Sequence, residues 1–338
     1  MDAGAMTCKV SLFNHKGGVG KTFLTVNIAA KIAEGGRRVA LVDTDPQCNL
    51  TSYLVENDVV DSWLDQSDTD KGNTLWSALK PIVDAEGRPK LIKPYETYIS
   101  NVFLIAGDIR LAEFEAEAND FWSQCFQRKS KGFRGIHALS ELTTRLCDTY
   151  KFDYVFYDSG PSIGPLNRIV LLDSDFFITP VACDLFSLRG IKTLGRTLYS
   201  WIEDWETIAD LAPRGTPLLR GAPRYLGYIA QQFRTYRDRP ATGYSRYMSS
   251  IDKEIRTELI ELLRRHDPAL APDYTTGASL GEVKDFGTLV TESQRTGLPI
   301  WKVGTAAQRS ESNAAFEAVA KRIIDRTKIG DKPNKKNG

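Results

Sequence analysis

A run of glycines near the start of the chain constrains the fold more than any other feature of the sequence. Residues 14–22 read NHKGGVGKT and stand between two segments of different periodicity. Segment 8–14 is short and apolar, as in a buried strand, whereas segment 22–34 repeats its apolar residues at helical spacing. Gly35 and Gly36 then favour the end of that helix. The pattern predicts a strand, a tight glycine turn and a helix in succession.

The residue types in this turn are those that bind phosphate. Gly17, Gly18 and Gly20 let the backbone approach phosphate oxygens without a clash from Cβ, so that its N–H groups can form an anion cradle. Lys21 supplies a cation for the β- and γ-phosphates, and the Thr22 hydroxyl supplies a ligand for Mg²⁺. A plain turn between strand and helix is the structural alternative. The predicted nucleotide-binding residues of this segment are Gly17, Gly18, Val19, Gly20, Lys21, Thr22 and Phe23.

Strand and helix patterns alternate along the rest of the chain, which favours an α/β architecture. Further apolar strands are predicted at 38–43, 102–106, 152–158, 176–182 and 225–230, and further helices at 108–118, 136–150, 185–205 and 312–327. Alternation of this kind builds a mostly parallel sheet through right-handed crossovers. We therefore expect a single domain over 1–330, a twisted mostly parallel β-sheet flanked by helices. Insertions are expected near 56–95, 119–135 and 231–250, and a disordered tail over 331–338.

Composition limits the class of protein and its partners. Lys and Arg number 44 against 43 Asp and Glu, a formal net charge of +1, so any basic surface has to be local. The five cysteines are scattered without a CxxC pair, which argues against a disulfide or zinc scaffold and favours a reducing, cytoplasmic location. No apolar run reaches the length of about 18–20 residues that spans a bilayer. We therefore expect no membrane partner.

A second lysine opens the glycine turn. The usual phosphate-loop pattern has glycine at position 15, whereas this chain has His15 followed by Lys16. The resulting sequence KGGVGKT resembles the deviant Walker A loop of the ParA/MinD family of P-loop ATPases. In that family the early lysine reaches the phosphates of the partner subunit in a dimer that sandwiches two nucleotides. The resemblance implies slow ATP hydrolysis with Mg²⁺, an ATP-dependent homodimer, and catalytic roles for Lys16 and Lys21.

Two carboxylate motifs follow in the order in which the family has them. Segment 41–51, LVDTDPQCNLT, resembles the first switch segment of the family, and the strand at 152–158 ends in Asp158 as a Walker B strand does. The resemblance implies that Asp45 orients or deprotonates the attacking water. It also implies Mg²⁺ ligation by Asp158, and either Mg²⁺ ligation or a loop-holding role for Asp43. Strand-end and helix-cap acids are the structural alternative.

The signal for the adenine base is weaker. The strand at 225–230 leads into Gln231 and Gln232, at the place where the family has its contacts to the base. A glutamine amide offers both the donor and the acceptor that a purine edge requires. Two surface glutamines are the alternative interpretation.

The predicted helix at 185–205 has a basic face. Arg189, Lys192 and Arg196 recur at i, i+3 and i+7, and this region binds DNA without sequence preference in partition ATPases of ParA type. The resemblance therefore implies that these three residues bind DNA, that the protein associates with the nucleoid, and that it acts in DNA partition with a stimulating partner protein. A solvated basic face is the structural alternative. A second class of function also remains open, a ParA-like regulatory or scaffold ATPase that positions or controls a protein.

Overall fold

The strands of the chain are short, and most of them are buried. In the computed structural model, which describes residues 7–233, 235–236, 239–240, 244–274 and 277–330, the strands have the following bounds. They are β1 (Cys8–Leu12), β2 (Val39–Asp43), β3 (Tyr95–Glu96), β4 (Val102–Ile105), β5 (Tyr154–Asp158), β6 (Phe176–Ala182), β7 (Arg224–Phe233), β8 (Thr235–Tyr236), β9 (Arg239–Pro240) and β10 (Ser279–Lys284).

Eight of these strands form one sheet in the order β10-β7-β6-β1-β5-β2-β4-β3. All of its neighbouring strands are parallel except β3, which is antiparallel to β4. Strands β8 and β9 form a separate antiparallel pair. The register places Leu12 of β1 and Asp43 of β2 on either side of Asp158 of β5. The ends of three central strands therefore meet at the carboxyl edge of the sheet, which is where ligands bind in open α/β folds.

Helices cover both faces of the sheet. They are α1 (Lys21–Glu34), α2 (Asn49–Leu54), α3 (Asn57–Gln66), α4 (Leu75–Val83), α5 (Leu111–Phe126), α6 (Ser130–Tyr150), α7 (Pro165–Asp173), α8 (Leu185–Asp210), α9 (Tyr244–Ile255), α10 (Glu261–His266), α11 (Thr288–Thr296) and α12 (Ala306–Gly330). A π-helical turn joins α9 to α10, and a 3₁₀ turn precedes α12. In the described ranges, no helix combines the length and the apolar character needed to cross a membrane.

The alternation of side chains along the strands divides the core into two layers. Ala40 and Val42 of β2 face one apolar cluster, and Val39 and Leu41 face the other. The first cluster lies under helices α4 to α10, and the second lies under α1, α2, α11 and α12. The sheet is thus buried on both faces, as expected for parallel strands.

The predicted α/β architecture is confirmed, with changes at the ends of elements. Helix α5 continues beyond 118 because Phe121, Trp122 and Cys125 extend its buried face against α6. The segment 119–135 is therefore a helical hairpin. Strand β10 was not predicted, since Gly281 interrupts its short apolar pattern. The predicted tail at 331–338 and part of the insertion at 231–250 lie outside the described residues.

A buried ion pair holds β1 in place below the glycine turn. Lys9 Nζ donates to both carboxylate oxygens of Asp173, at 3.1 and 2.9 Å, and to the hydroxyl of Thr143 at 3.0 Å. The Tyr157 hydroxyl donates to the same carboxylate at 2.5 Å. Burial alone would raise the pKa of Asp173, but the charge of Lys9 and these hydrogen bonds keep it below its usual range. The pair therefore joins β1 and β5 to helices α6 and α7.

We expect Lys9→Met to lower the free energy of unfolding by about 3–5 kcal/mol, because Asp173 would remain in the core without its cation. Urea unfolding followed by circular dichroism measures this difference. The double variant Lys9→Met/Asp173→Leu should recover much of the loss, since neither apolar side chain needs a charged partner. A single variant that unfolds at the wild-type urea concentration would contradict this role of the ion pair.

Candidate nucleotide-binding and active site

The glycine turn connects β1 to α1 at the carboxyl edge of the sheet. Gly18 and Gly20 have φ of +73° and +70°, a backbone conformation that favours glycine. A Cβ on Gly20 would also lie 2.7 Å from the side-chain oxygen of Gln231, so this position lacks room for a side chain. Gly20 is the N-cap of α1 and has no side chain to occupy the first N–H groups of the helix. The turn can therefore offer those N–H groups to a phosphate.

Lys21 is buried across the turn. Its Nζ donates to the carbonyl oxygen of Asn14 at 3.0 Å, and the residue is only 8% exposed. Burial lowers the pKa of Lys21, and the negative charges of Asp158 and Asp45 partly oppose that shift. The ammonium group therefore donates to a neutral carbonyl oxygen in the turn. A bound polyphosphate would give it a directly contacting anion.

Thr22 and Asp158 lie next to Lys21 and form a pair of hard oxygen ligands. The Thr22 hydroxyl donates to Asp158 Oδ2 at 2.7 Å, and burial raises the pKa of Asp158 to about 6. A buried carboxylate beside a hydroxyl fits the preference of Mg²⁺ for oxygen. Across the described parts of the chain, no three His, Cys, Asp or Glu residues are grouped as metal ligands. The pair therefore fits a Mg²⁺ ion whose remaining ligands are phosphate oxygens and water.

Asp43 lies beside Asp158 and is fully buried. Its Oδ2 accepts hydrogen bonds from the N–H and hydroxyl of Thr51, at 2.8 and 2.7 Å, and its Oδ1 accepts from the N–H of Asp45 at 3.2 Å. Burial and the negative charge of Asp158 raise the pKa of Asp43 to about 7. Asp43 was predicted either to ligate Mg²⁺ or to hold the loop. These three hydrogen bonds favour the second role, because they fix the loop between β2 and α2.

Asp45 faces residues 159–164, the segment between Asp158 and α7 that we call the second switch segment. It is 7% exposed, and its Oδ1 accepts a hydrogen bond from the N–H of Gln47 at 3.0 Å. A Cβ on Gly160 would lie 3.1 Å from the same oxygen, so the backbone of Gly160 approaches the carboxylate closely. Asp45, which belongs to the first switch segment, thus lies directly against the second one.

Lys16 contacts its own subunit in this structure. Its Nζ lies 2.5 Å from Asp184 Oδ2 and 3.1 Å from the hydroxyl of Ser187. Asp184 also caps α8, because its Oδ1 accepts from the N–H of Ser187 at 2.8 Å. The side chains of Lys16 and Asp184 are 31% and 40% exposed, and ion pairs of this exposure contribute only about 0.2–1 kcal/mol. Lys16 can therefore leave Asp184 at a small free-energy cost.

The side chain of Gln231 forms a hydrogen bond to the backbone of the phosphate loop, so this residue has a structural contact that the sequence did not predict. Its Nε2 donates to the carbonyl oxygen of Val19 at 2.6 Å, and the side chain is buried. One of the two amide N–H groups is therefore used by the loop, and the buried geometry favours a supporting role over recognition of the purine edge. Gln232 lies on β7, but its side chain is outside the part of the chain that is described.

Val19 and Phe23 face the protein interior. Val19 is 1% exposed, and the ring of Phe23 packs edge-on against Phe316 of α12, with their centroids 5.7 Å apart. Only the backbone of these two residues is therefore suited to contact a nucleotide.

The predicted basic face exists on α8. Arg189, Lys192 and Arg196 are all exposed, and Lys192 Nζ is 3.9 Å from a carboxylate oxygen of Glu258. The inner face of the same helix lies against the phosphate loop, where His15 packs on Gly190. The basic residues are therefore connected to the candidate nucleotide site by a single helix.

Two acidic residues at the site were not predicted. Asp184 stands two residues beyond the strand at 176–182, so an acid just past a strand end was the signal that could have marked it. Glu115 of α5 packs against Gly164 of the second switch segment, and burial and the charge of Asp45 raise the pKa of Glu115. No motif or spacing marks Glu115, because α5 approaches the switch only in the folded chain.

Comparison with known proteins agrees with this geometry. A family model described as an AAA domain matches residues 7–208. Sporulation initiation inhibitor protein Soj from Bacillus subtilis is 32% identical over 195 residues, which are 56% of this chain and 64% of Soj. Chromosome partitioning protein ParA from Myxococcus xanthus is 30% identical over 193 residues, which are 56% of this chain and 57% of that protein. Among solved structures, protein DIP2308 from Corynebacterium diphtheriae has a TM-score of 0.73 and 25% identity, covering 95% of this chain and 99% of its own.

The fold and the phosphate loop define a P-loop nucleotide-binding protein. Because the family match covers more than half of the chain, the chain belongs to the ParA/MinD family of P-loop ATPases. The matched part spans less than two thirds of the length of Soj and of the Myxococcus ParA.

We expect Lys21→Ala to abolish ATP binding, because the phosphate charge would lose the cation buried in the loop. Isothermal titration calorimetry with ATP and Mg²⁺ measures the effect. Lys31→Ala is a matched control, since Lys31 lies on the same helix α1 near its last turn and pairs there with Glu34. Micromolar ATP affinity in the Lys21 variant would overturn the assignment of the site.

Proposed function

We propose that the protein is a ParA-type ATPase that binds Mg·ATP, forms a homodimer around two nucleotides, hydrolyses ATP slowly and acts in DNA partition. The observation that carries this proposal is the cluster at the carboxyl edge of the sheet. There the glycine turn, Lys21, Thr22 and Asp158 lie together, and Asp45 of the first switch segment lies against Gly160 of the second. These are the parts that phosphoryl transfer requires.

Each part has a role that follows from its position. The N–H groups at the start of α1 donate hydrogen bonds to the phosphate oxygens. Lys21, which donates to the Asn14 carbonyl oxygen in this structure, would donate to the β- and γ-phosphates instead. Mg²⁺, which Thr22 and Asp158 would hold, supplies charge neutralisation between the phosphates. Asp45 accepts a hydrogen bond from the attacking water and orients it toward the γ-phosphate.

Dimerisation would give Lys16 a second partner. In the single subunit Lys16 is paired with Asp184, and that surface pair is weak enough to exchange. Two subunits that meet at their phosphate loops bring each Lys16 near the polyphosphate of the other. The cation would then neutralise charge on the transferred phosphoryl group in the manner of an arginine finger.

The basic face of α8 supports the DNA-binding part of the proposal. Arg189, Lys192 and Arg196 are exposed, and contacts from arginine and lysine to phosphates need no particular base sequence. A dimer presents twice as many cations as a monomer, so DNA binding should depend on ATP. A cytoplasmic protein of this kind would associate with the nucleoid.

A surface of the opposite charge favours the second candidate function, control of a protein partner. Helix α3, within the predicted insertion at 56–95, exposes Asp58, Asp61 and Asp65. DNA would be repelled by this surface, whereas a basic protein segment would be attracted to it. A stimulating partner or a protein cargo is therefore compatible with the same ATPase cycle.

We expect Asp45→Ala to retain ATP binding and to stop hydrolysis, because Asp45 orients water and makes no phosphate contact in this mechanism. A phosphate-release assay measures the rate, and calorimetry measures ATP affinity. The exposed Asp61 on α3 provides the control variant Asp61→Ala, which should hydrolyse ATP as the wild type does. Hydrolysis at the wild-type rate in the Asp45 variant would remove Asp45 from the mechanism.

The salt dependence of DNA binding tests the face on α8. Lys192→Ala/Arg196→Ala removes about four phosphate contacts per dimer, so the slope of log K against log salt should decrease by about 3–4. Fluorescence anisotropy with a duplex of arbitrary sequence and ATP measures the slope. Lys321→Ala/Lys328→Ala removes the same charge from exposed positions on α12 and should leave the slope unchanged. If the wild type ignores DNA at low salt with ATP present, the protein-partner function is favoured.

A further inference from the structure

The side-chain amide of Asn167 is buried against the second switch segment and donates hydrogen bonds to its backbone. Asn167 lies in the first turn of α7 and is only 3% exposed, beside the buried apolar residues Leu166 and Ile169. Its Nδ2 lies 2.9 Å from the carbonyl oxygens of both Gly160 and Ser162, and 3.0 Å from the Ser162 hydroxyl. An amide nitrogen carries two hydrogens, so it can donate to both carbonyl oxygens at once.

The direction of these hydrogen bonds is opposite to that of a helix cap. The free N–H groups at the start of a helix attract side chains that accept hydrogen bonds, and α7 has no side-chain cap of this kind at Gly164. Asn167 is the third residue of α7, which begins at Pro165, and helical side chains tilt toward the N-terminus of their helix. The amide is therefore directed back along the chain, where it holds the second switch segment rather than the end of the helix.

Other contacts fix the two ends of the second switch segment but not its middle. At the first end, the carbonyl oxygen of Asp158 accepts hydrogen bonds from the N–H and the hydroxyl of Thr44, at 2.9 and 2.7 Å. At the far end, the segment continues directly into α7. Residues 161–163 between these ends are exposed. In the part of the chain that is described, no side chain other than Asn167 donates to the carbonyl oxygens of Gly160 and Ser162.

The position of Gly160 matters because Asp45 lies directly against it. A Cβ on Gly160 would be 3.1 Å from Asp45 Oδ1, so a shift of this backbone would change the space that the carboxylate occupies. In the proposed mechanism Asp45 orients the attacking water, and a misplacement of about 1 Å in such a group can cost about 100-fold in rate. Asn167 fixes Gly160, and Gly160 in turn limits the position of Asp45.

We propose that Asn167 is a positioning residue for ATP hydrolysis, because it holds the second switch segment in the arrangement that confines the Asp45 carboxylate. This inference rests on the proposed function, which supplies the reaction, and it adds a residue that no motif of the sequence marks. The effect of Asn167 passes through the backbone of Gly160. Binding of ATP by Lys21 and Thr22 does not depend on it.

The test replaces Asn167 with leucine, which has nearly the same shape and no hydrogen-bond donor. We expect kcat for ATP hydrolysis with Mg²⁺ to fall by about 10–100-fold in Asn167→Leu, while the ATP affinity measured by calorimetry equals that of the wild type. Asn73→Leu is the matched control, since the Asn73 amide also donates to a backbone carbonyl, that of Lys93, at 2.8 Å. Both of these residues lie within the predicted insertion at 56–95, so the control should hydrolyse ATP as the wild type does.

Hydrogen exchange tests the positioning itself. A purely structural role of Asn167 would destabilise the whole protein, whereas a positioning role loosens one segment. Amide exchange of residues 159–164, followed by mass spectrometry without nucleotide, should be about 10-fold faster in Asn167→Leu than in the wild type and unchanged in Asn73→Leu. Unchanged exchange in Asn167→Leu would overturn the inference.

A second variant, Asn167→Asp, keeps the shape of the side chain and decides the question alone if Asn167→Leu does not fold. Its new carboxyl group can donate only when it is protonated, and burial among carbonyl oxygens favours the protonated form. The ratio of its kcat to that of the wild type should therefore rise as the pH is lowered from about 8 to about 6.

The outcomes separate this inference from the proposed function. Equal kcat in the wild type and both Asn167 variants would overturn the role of Asn167 and leave the ATPase function intact. A loss of ATP affinity that accounts for the lower activity would also overturn it, because Asn167 would then act on binding. A wild type that does not hydrolyse ATP would overturn the proposed function itself.

Discussion

Two buried carboxylates at the carboxyl edge of the sheet are the constraint on which the site depends. The parallel register of β2 and β5 places Asp43 beside Asp158, and burial raises the pKa of both groups, to about 7 and about 6. Like charges in a buried position are unfavourable unless donors or cations surround them. Thr51 and Thr22 donate to these carboxylates, and the charge of Lys21 opposes the shift at Asp158. The loops that carry these groups are therefore held together by the carboxylates at their centre.

Helix α8 connects this centre to the rest of the molecule. Its first residues hold Lys16 through Asp184, and farther along Trp201 packs against Phe13, which directly precedes the phosphate loop, with 5.5 Å between ring centroids. Near its end, Asp204 pairs at 3.0 Å with Arg168 of α7, the helix that follows the second switch segment. The opposite face of α8 carries the basic residues. A change at the second switch segment or at the phosphate loop would thus act on the helix that is proposed to contact DNA.

Although the net charge of the chain is only +1, acidic and basic residues are concentrated on different parts of the surface. Helix α3 exposes acids, whereas α8 exposes Arg189, Lys192 and Arg196. Long-range electrostatic attraction would therefore bring a polyanion to one side of the molecule and a basic partner to another.

The sequence by itself determined the class of fold and the chemistry of the site. The glycine turn with Lys21 and Thr22 is a local motif, and Asp43, Asp45 and Asp158 lie at or just beyond strand ends. Parallel strands align their carboxyl ends, so local patterns of this kind are enough to bring the groups together. Spacing along α8 likewise predicted its exposed basic face.

Only the tertiary structure decided contacts between residues far apart in the chain. Sequence reasoning offered Gln231 as a base contact or as a surface glutamine, and only the order β7-β6-β1 brings its amide to the carbonyl of Val19. The partner of Lys16 is Asp184, 168 positions away in the chain. These contacts depend on strand order and on the path of each loop, which local hydrophobic periodicity does not specify.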